Sequence, residues 1–520
     1  MPDRLSALDA SFLTIEDGVS HMHIGSVAIF EGPPPPHPKV QKMVASKLHL
    51  VPRYRQVVRT VPGGFGLPVW VDDQHFNIDY HVRRTALPKP GGEAELRRLV
   101  GRLMSQPLDR SKPLWEIWVA ENLEDGHWAM VCKTHHALVD GVSGAELLAV
   151  IMDLSPDATR PAEPVPWEPE PQPDGVRLAA DALSSAIRSP LQGIRTLQAA
   201  AAVPRRAAGE VLTFAMGSLA LAGVLRRAPE TSINGPIGPH RRWDWASATV
   251  DQVKTVRRGL GGTFNDVVLA AITAGFRALL IARDEEPEEP IRTMVPVSVR
   301  ARDSSGRAIG DRSFNNKVSA MFADLPVQLD DPVERLRAIS VQMAGLKDTA
   351  QAVAGETLTS LAGFAPAMLL SLGTRVVTGA AIRGMNTITT NVPGPQLPLY
   401  VLGRQLLKAF PYVPIPEGVR VAVAIFSYNG QVNFGVTGDY DTMADIDVLC
   451  LGIERGLAAL LDLAEQGDGA GRSEVVVEGT VARPRRRRAT PSKPRGAGTG
   501  AGRSGGASTA ARSNGRSRPR

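Results

Sequence analysis

A chain of 520 residues with 43% hydrophobic content is too long for one compact core and apolar enough to build two. Its 59 basic and 53 acidic side chains give +6, but residues 483–520 hold 12 Lys or Arg and no acid, so residues 1–482 carry 47 basic and 53 acidic groups, a net −6. That sign argues against a nucleic-acid-binding body, whose basic excess would lie on the folded surface, and no specific nucleic-acid partner is expected. Cys132 and Cys450 each sit in an apolar stretch, which leaves no disulfide framework and fits a reducing cytosol. The first residues lack the apolar core of a signal peptide. The apolar uncharged runs 211–225 and 357–374 fall short of the ~20 apolar residues a spanning helix needs, so no transmembrane helix is expected.

In chain order, β-branched or alternating runs predict strands at 22–30 and 128–134, and apolar spacing predicts a helix at 145–154. Seven prolines among residues 156–173 mark an extended linker. An Ala-rich stretch at 176–227, broken by Pro190 and Pro204, reads as connecting helices. Helices follow at 265–282, 332–346 and 446–463, and strands at 293–299, 318–325, 419–428 and 431–437. Asn429-Gly430 between the last two strands is a strong hairpin signal, because both residues tolerate positive φ. The expected organisation is an α/β (α+β) block at 1–155, linker and connecting helices at 156–239, a second α/β block at 240–465, and a disordered basic tail at 466–520, which has no aromatic residues after residue 467.

One segment concentrates chemistry. A strand delivers His135 and His136 to its end, and Ala137-Leu138-Val139 leads to Asp140-Gly141. A neutral imidazole at a sheet end can take a proton from a hydroxyl or thiol at cellular pH. The carboxylate of Asp140 could orient an imidazole, fix the loop, or cap the helix after Gly141. Paired histidines can also be packing residues. His136 and Asp140 with His21 and His23 could ligate zinc, but no Cys or Glu cluster supports a metal site, and none is expected.

His135-His136-Ala137-Leu138-Val139-Asp140-Gly141 resembles the HHxxxDG motif of the CoA-dependent acyltransferase superfamily, which includes chloramphenicol acetyltransferase and peptide-synthetase condensation domains. In the same order as in the bacterial wax ester synthase/diacylglycerol acyltransferase family occur Leu8-Asp9-Ala10-Ser11-Phe12, His23-Ile24-Gly25, Pro113-Leu114-Trp115, Asn234-Gly235-Pro236, Asn265-Asp266-Val267, Val295-Pro296-Val297-Ser298 and Asn391-Val392-Pro393-Gly394-Pro395. The chain resembles that family over about residues 1–465. One departure is Asn315-Asn316-Lys317, where the family commonly shows Gly-Asn-Arg; it bears on acceptor contacts rather than fold.

The resemblance implies two chloramphenicol-acetyltransferase-like domains with mixed sheets and an active-site channel between them. It implies an O-acyltransferase that esterifies diacylglycerol, or long-chain alcohols, from long-chain acyl-CoA. Acyl-CoA is then a substrate, and no cofactor is expected. His136 would be the general base, His135 a supporting residue, Asp140 an orienting residue and Gly141 the turn, with no covalent acyl-enzyme. Asn265 is the candidate oxyanion donor, the rival reading being a helix N-cap. Trp115 is expected to be structural. The runs 211–225 and 357–374 and the basic tail suggest a cytoplasmic enzyme held peripherally on membrane or lipid-droplet surface. Two rival readings are a condensation-type enzyme using carrier-bound thioesters and a non-catalytic lipid-binding protein.

Overall fold

The structure, a computed structural model, describes residues 3–62, 67–138, 150–178, 180, 226–298, 318–353 and 382–473. Its strands are β1 (His23–Phe30), β2 (Gln56–Arg59), β3 (Val69–Asp72), β4 (Val82–Ala86), β5 (Trp115–Glu121), β6 (Trp128–His135), β7 (Asn234–Gly235), β8 (Arg241–Thr249), β9 (Ile291–Ser298), β10 (Val318–Leu325), β11 (Thr387–Pro393), β12 (Tyr400–Val401), β13 (Arg404–Tyr412), β14 (Gly418–Val419), β15 (Val421–Tyr428) and β16 (Gln431–Asp439). Its helices are α1 (Ala7–Ile15), α2 (His37–Lys47), α3 (Ile78–His81), α4 (Glu93–Met104), α5 (Val250–Leu260), α6 (Phe264–Ala282), α7 (Pro332–Val353) and α8 (Ile446–Ser473).

Two six-stranded sheets carry the fold, ordered β12-β13-β1-β6-β5-β4 and β10-β9-β11-β15-β16-β8. Both are mixed, as expected. In the first, β4 runs parallel to β5 while β1, β5, β6 and β13 pair antiparallel. In the second, β11 runs parallel to β9 and β15. The β15–β16 hairpin turns at Asn429 (φ 43°) and Gly430 (φ 82°), the two positive φ values that a type I′ turn requires.

The expected boundary at residue 240 is crossed by one strand. β13, from the second block, pairs with β1, setting Ala28 opposite Ala409 in the first sheet. The crossing strand also touches the second sheet. The Asn433 amide donates to Ala409 O at 2.9 Å, the Trp243 indole donates to Pro411 O at 3.3 Å, and a Cβ on Gly435 would lie 1.7 Å from Pro411 O. The described residues up to Gly471 belong to one compact unit containing separate apolar clusters.

Helix α6 is apolar over 19 residues, enough by length and composition to cross a membrane. It is instead a core helix, with 67% of its apolar window buried and Val267, Leu269, Ile272 and Phe276 packed under the second sheet. Residues 155–174 run without helix or strand along the first block: the Gln172 amide donates to Asp72 O at 2.8 Å, and Arg55 stacks over Trp167 at 4.5 Å. Residues 145–149 of the expected helix 145–154, the runs 211–225 and 357–374, the 315–317 turn and residues 474–520 of the tail lie outside the described residues, while residues 466–473, expected as the disordered start of the tail, continue helix α8.

Candidate active site

Strand β6 ends where the motif begins. His135 pairs across the sheet with His23 of β1, and its N–H donates to Leu114 O at 2.9 Å. The chain then tightens into a short 3₁₀ turn at His136–Leu138, which the His136 N–H anchors by donating to Met22 O at 2.8 Å. Two adjacent histidines therefore leave the sheet edge in different environments.

His135 is fully buried. Its Nδ1 accepts from Ala137 N–H at 3.0 Å, which assigns the ring proton to Nε2. That Nε2 lies 3.4 Å from the Glu16 carboxylate. Burial pushes the Glu16 carboxyl up, but His135 and Arg110 outweigh it and hold the group at about 2. Arg110 donates to Glu16 through Nη2 at 2.6 Å and Nε at 3.0 Å. Glu16 and Arg110 were not singled out in the sequence. The only local signal for Glu16 is its position one helical turn after Phe12, and nothing local points to Arg110.

His136 is partly buried, and its ring stacks on Phe12 at 4.0 Å with 20° between planes. Loss of hydration lowers its pKa from 6.5 to about 4, with a smaller push from His135. The imidazole is thus neutral at cellular pH, the form that can accept a proton.

Around these residues some polar groups are tied down, while both His21 ring nitrogens, His23 Nδ1 and His135 Nε2 are buried without a hydrogen bond among the described residues. His23 Nε2 donates to Met104 O at 2.8 Å, and Lys133 donates to Leu103 O at 3.0 Å and to Gln106 O, so both close the C-terminal end of α4. Burial brings Lys133 down to about 8 against the pull of Glu116. Gly25 is required because a Cβ there would meet Cys132 O at 2.6 Å. Trp115 is structural as expected: 1% exposed, it donates to Tyr54 O at 2.8 Å and stacks on His81 at 4.5 Å. Among the described residues, no group of three His, Cys, Asp or Glu is placed to hold a metal ion.

Asn265 is not the N-cap of its helix. Thr263 holds that position, accepting from Asp266 N–H, and Asp266 returns a bond to Thr263 N–H at 2.8 Å, a reciprocal capping box. Asn265 sits inside the first turn, where its Oδ1 accepts from the Asn391 amide at 3.3 Å. Two of the quoted motifs therefore meet through one hydrogen bond. Next to Asn391, Val392 packs against the cluster that contains Ala137 and Leu138. Asn265 makes no hydrogen bond to either histidine among the described residues. Asp140 and Gly141 lie outside the described residues.

The wax ester synthase/diacylglycerol acyltransferase catalytic domain matches residues 5–268, and the C-terminal domain of the same family matches 314–461. The chain belongs to the wax ester synthase/diacylglycerol acyltransferase family. It is therefore an acyltransferase by family, and its sequence likeness runs through both sheets. The "Probable diacyglycerol O-acyltransferase tgs1" of Mycobacterium tuberculosis is 35% identical over 467 residues, covering 89% of this chain and 97% of the relative. The relative tgs2 of the same organism is 31% identical over 471 residues, covering 88% and 98%. Among solved structures, the wax ester synthase/diacylglycerol acyltransferase of Marinobacter aquaeolei VT8 superposes with a TM-score of 0.63 at 25% identity, covering 89% of this chain and all of that one. The first condensation domain of the CDA synthetase, at 14% identity and a TM-score of 0.51, shares the fold.

Proposed function

We propose that this family member transfers a long-chain acyl group from acyl-CoA to the hydroxyl of diacylglycerol or a long-chain alcohol, with His136 as general base. The observation that carries the reading is the contrast between the two histidines. His136 is partly accessible and neutral, while His135 has Nδ1 occupied by a backbone N–H and no solvent exposure. In the proposed step His136 takes the hydroxyl proton as the oxygen attacks the thioester carbonyl. The C–S bond then breaks and the proton passes to the CoA thiolate, with no acyl-enzyme and no cofactor. General-base help of this kind contributes ~10² to 10⁴-fold.

His135 is then a supporting residue, and Asp140 and Gly141 shape the loop that follows. Asn265 remains the oxyanion donor: its oxygen is engaged by Asn391, which leaves its own N–H groups to donate. The names of the mycobacterial relatives favour diacylglycerol as acceptor. Residence on membrane or droplet surface is part of the proposal, supported by 12 basic and no acidic side chains at 483–520.

The test is ester formation by purified protein from labelled palmitoyl-CoA, offered dioleoylglycerol and hexadecanol separately, beside His136→Ala. Product from the wild type, lost in a folded His136→Ala, supports the base and ranks the acceptors. Equal product from the variant removes His136 from the chemistry. Product only from a phosphopantetheine-carried acyl group would replace acyl-CoA as donor.

A further inference from the structure

Helix α1 reaches the histidine pair from two directions. Phe12 covers the His136 ring. One turn later Glu16, whose N–H donates to Phe12 O at 3.1 Å, ends the helix and turns its carboxylate to the other histidine. The two carboxylate oxygens have separate targets. Oε2 lies 3.4 Å from His135 Nε2, and Oε1 accepts from Met22 N–H at 3.3 Å. The carbonyl of that same Met22 receives the His136 N–H at 2.8 Å.

Arg110 holds this carboxylate in place. Its guanidinium grips Oε2 through two nitrogens and also donates to Leu13 O at 2.9 Å, fastening it to the last turn of α1. The Glu16 side chain is 7% exposed while that of Arg110 is 50% exposed. A charge buried this far needs specific partners. Here the partners are one cation at the rim and, inside, the His135 ring and the Met22 backbone N–H.

We infer that Glu16, clamped by Arg110, is a positioning residue for the acyl transfer, fixing the His135 ring through Nε2 and the His136 backbone through the Met22 peptide. This rests on the reading of His136 as the base. The consequence is orientation: the base must meet the acceptor hydroxyl within hydrogen-bond reach, and a displacement of about 1 Å can cost on the order of 10²-fold in rate. Without the carboxylate, the buried His135 Nε2 loses the opposite charge 3.4 Å away, and the Met22 N–H loses its acceptor while the Met22 carbonyl still receives the His136 N–H. Glutamine supplies an uncharged oxygen to the same place, so Glu16→Gln retains part of the function that Glu16→Ala removes.

The experiment measures kcat, KM for palmitoyl-CoA and thermal midpoint for Glu16→Ala, Glu16→Gln, Arg110→Met and His136→Ala in the full chain. The expected result is a kcat about a hundredfold lower in Glu16→Ala, with KM changed less than about threefold, partial recovery in Glu16→Gln, and a loss of about tenfold in Arg110→Met. A folded Glu16→Ala with kcat within about twofold of wild type overturns the inference. So does a glutamine variant as impaired as alanine when both melt like wild type. If Glu16→Ala does not fold, Glu16→Gln and Arg110→Met decide: wild-type kcat in both rejects the role. An active His136→Ala would instead reject the base reading itself.

Discussion

The ring of Phe12 lies parallel to that of His136, 4.0 Å away, and makes part of the apolar cover that keeps the imidazole neutral. Desolvation is the largest cause of its lowered pKa, about 4 against 6.5. Phe12→Ala admits water, lowers the penalty on the imidazolium and raises the pKa back toward 6.5. Since protonated His136 cannot act as base, the acid limb of kcat/KM moves to higher pH in the variant. Wild-type kcat/KM is expected to stay level from pH ~7 down to ~5, whereas Phe12→Ala is expected to lose rate over that interval. A pH–rate profile of both proteins checks this, and coincident acid limbs would reject it.

Asn265 and Asn391 form a second testable pair, joined at 3.3 Å across α6 and β11. If Asn265 donates to the oxyanion, Asn265→Ala lowers kcat by ~10² to 10³. Asn391→Ala removes only the hydrogen bond that turns the Asn265 amide, and a loss of about tenfold is expected. Because the second residue acts through the first, the double variant should be no worse than Asn265→Ala alone. Multiplying losses would mean that the two act independently.

What could be read from the sequence was local. The Asn429-Gly430 hairpin, the β10 strand, the start of α7 at Pro332 and the delivery of two histidines by β6 each depend on residues close in the chain. The helix start expected at 265 lies one residue late: the Thr263-x-x-Asp266 spacing is itself a capping signal and makes Thr263 the N-cap. What was missed is long-range. β13 contains Pro411, which reads against a strand, and its pairing with β1 joins opposite ends of the chain. Glu16 and Arg110 are ordinary surface-type residues until folding places them against His135.

Several buried groups make the fold sensitive to acid. Burial lowers His81 to about 4, His136 to about 4 and His23 well below 6.5. Between pH 6.5 and about 4 the unfolded chain binds protons that the folded chain refuses, so stability is complete above 6.5 and falls as pH drops through that window. Glu16, held at about 2 against 4.5, adds a loss of the same sign below about 4.5. Each histidine contributes a slope of up to ~1.4 kcal/mol per pH unit. The thermal midpoint is expected to fall by several degrees between pH ~7 and ~5, and less steeply in His81→Gln. A flat midpoint over that range would mean the histidines are not buried as neutral rings.

A tight contact between the two sheets yields a stability prediction. Gly435 sits in β16 between Ala424 of β15 and Trp245 of β8, and a Cβ there would come within 1.7 Å of Pro411 O in β13. A backbone carbonyl inside a paired strand cannot swing aside, so Gly435→Ala must push β13 away. That movement strains the buried Asn433 bond to Ala409 O and the Trp243 bond to Pro411 O, and β13 pairs with β1, which faces His135. The expected cost exceeds ~3 kcal/mol, from overpacking together with a polar group left unpaired. Gly430→Ala is the control, because nothing lies within 4 Å of its Cβ and the only cost is its φ of 82°, about 1 kcal/mol. Urea midpoints of the two variants should therefore differ clearly, with Gly435→Ala far lower or recovered only as aggregate. Equal midpoints would mean that the sheets do not meet at Gly435.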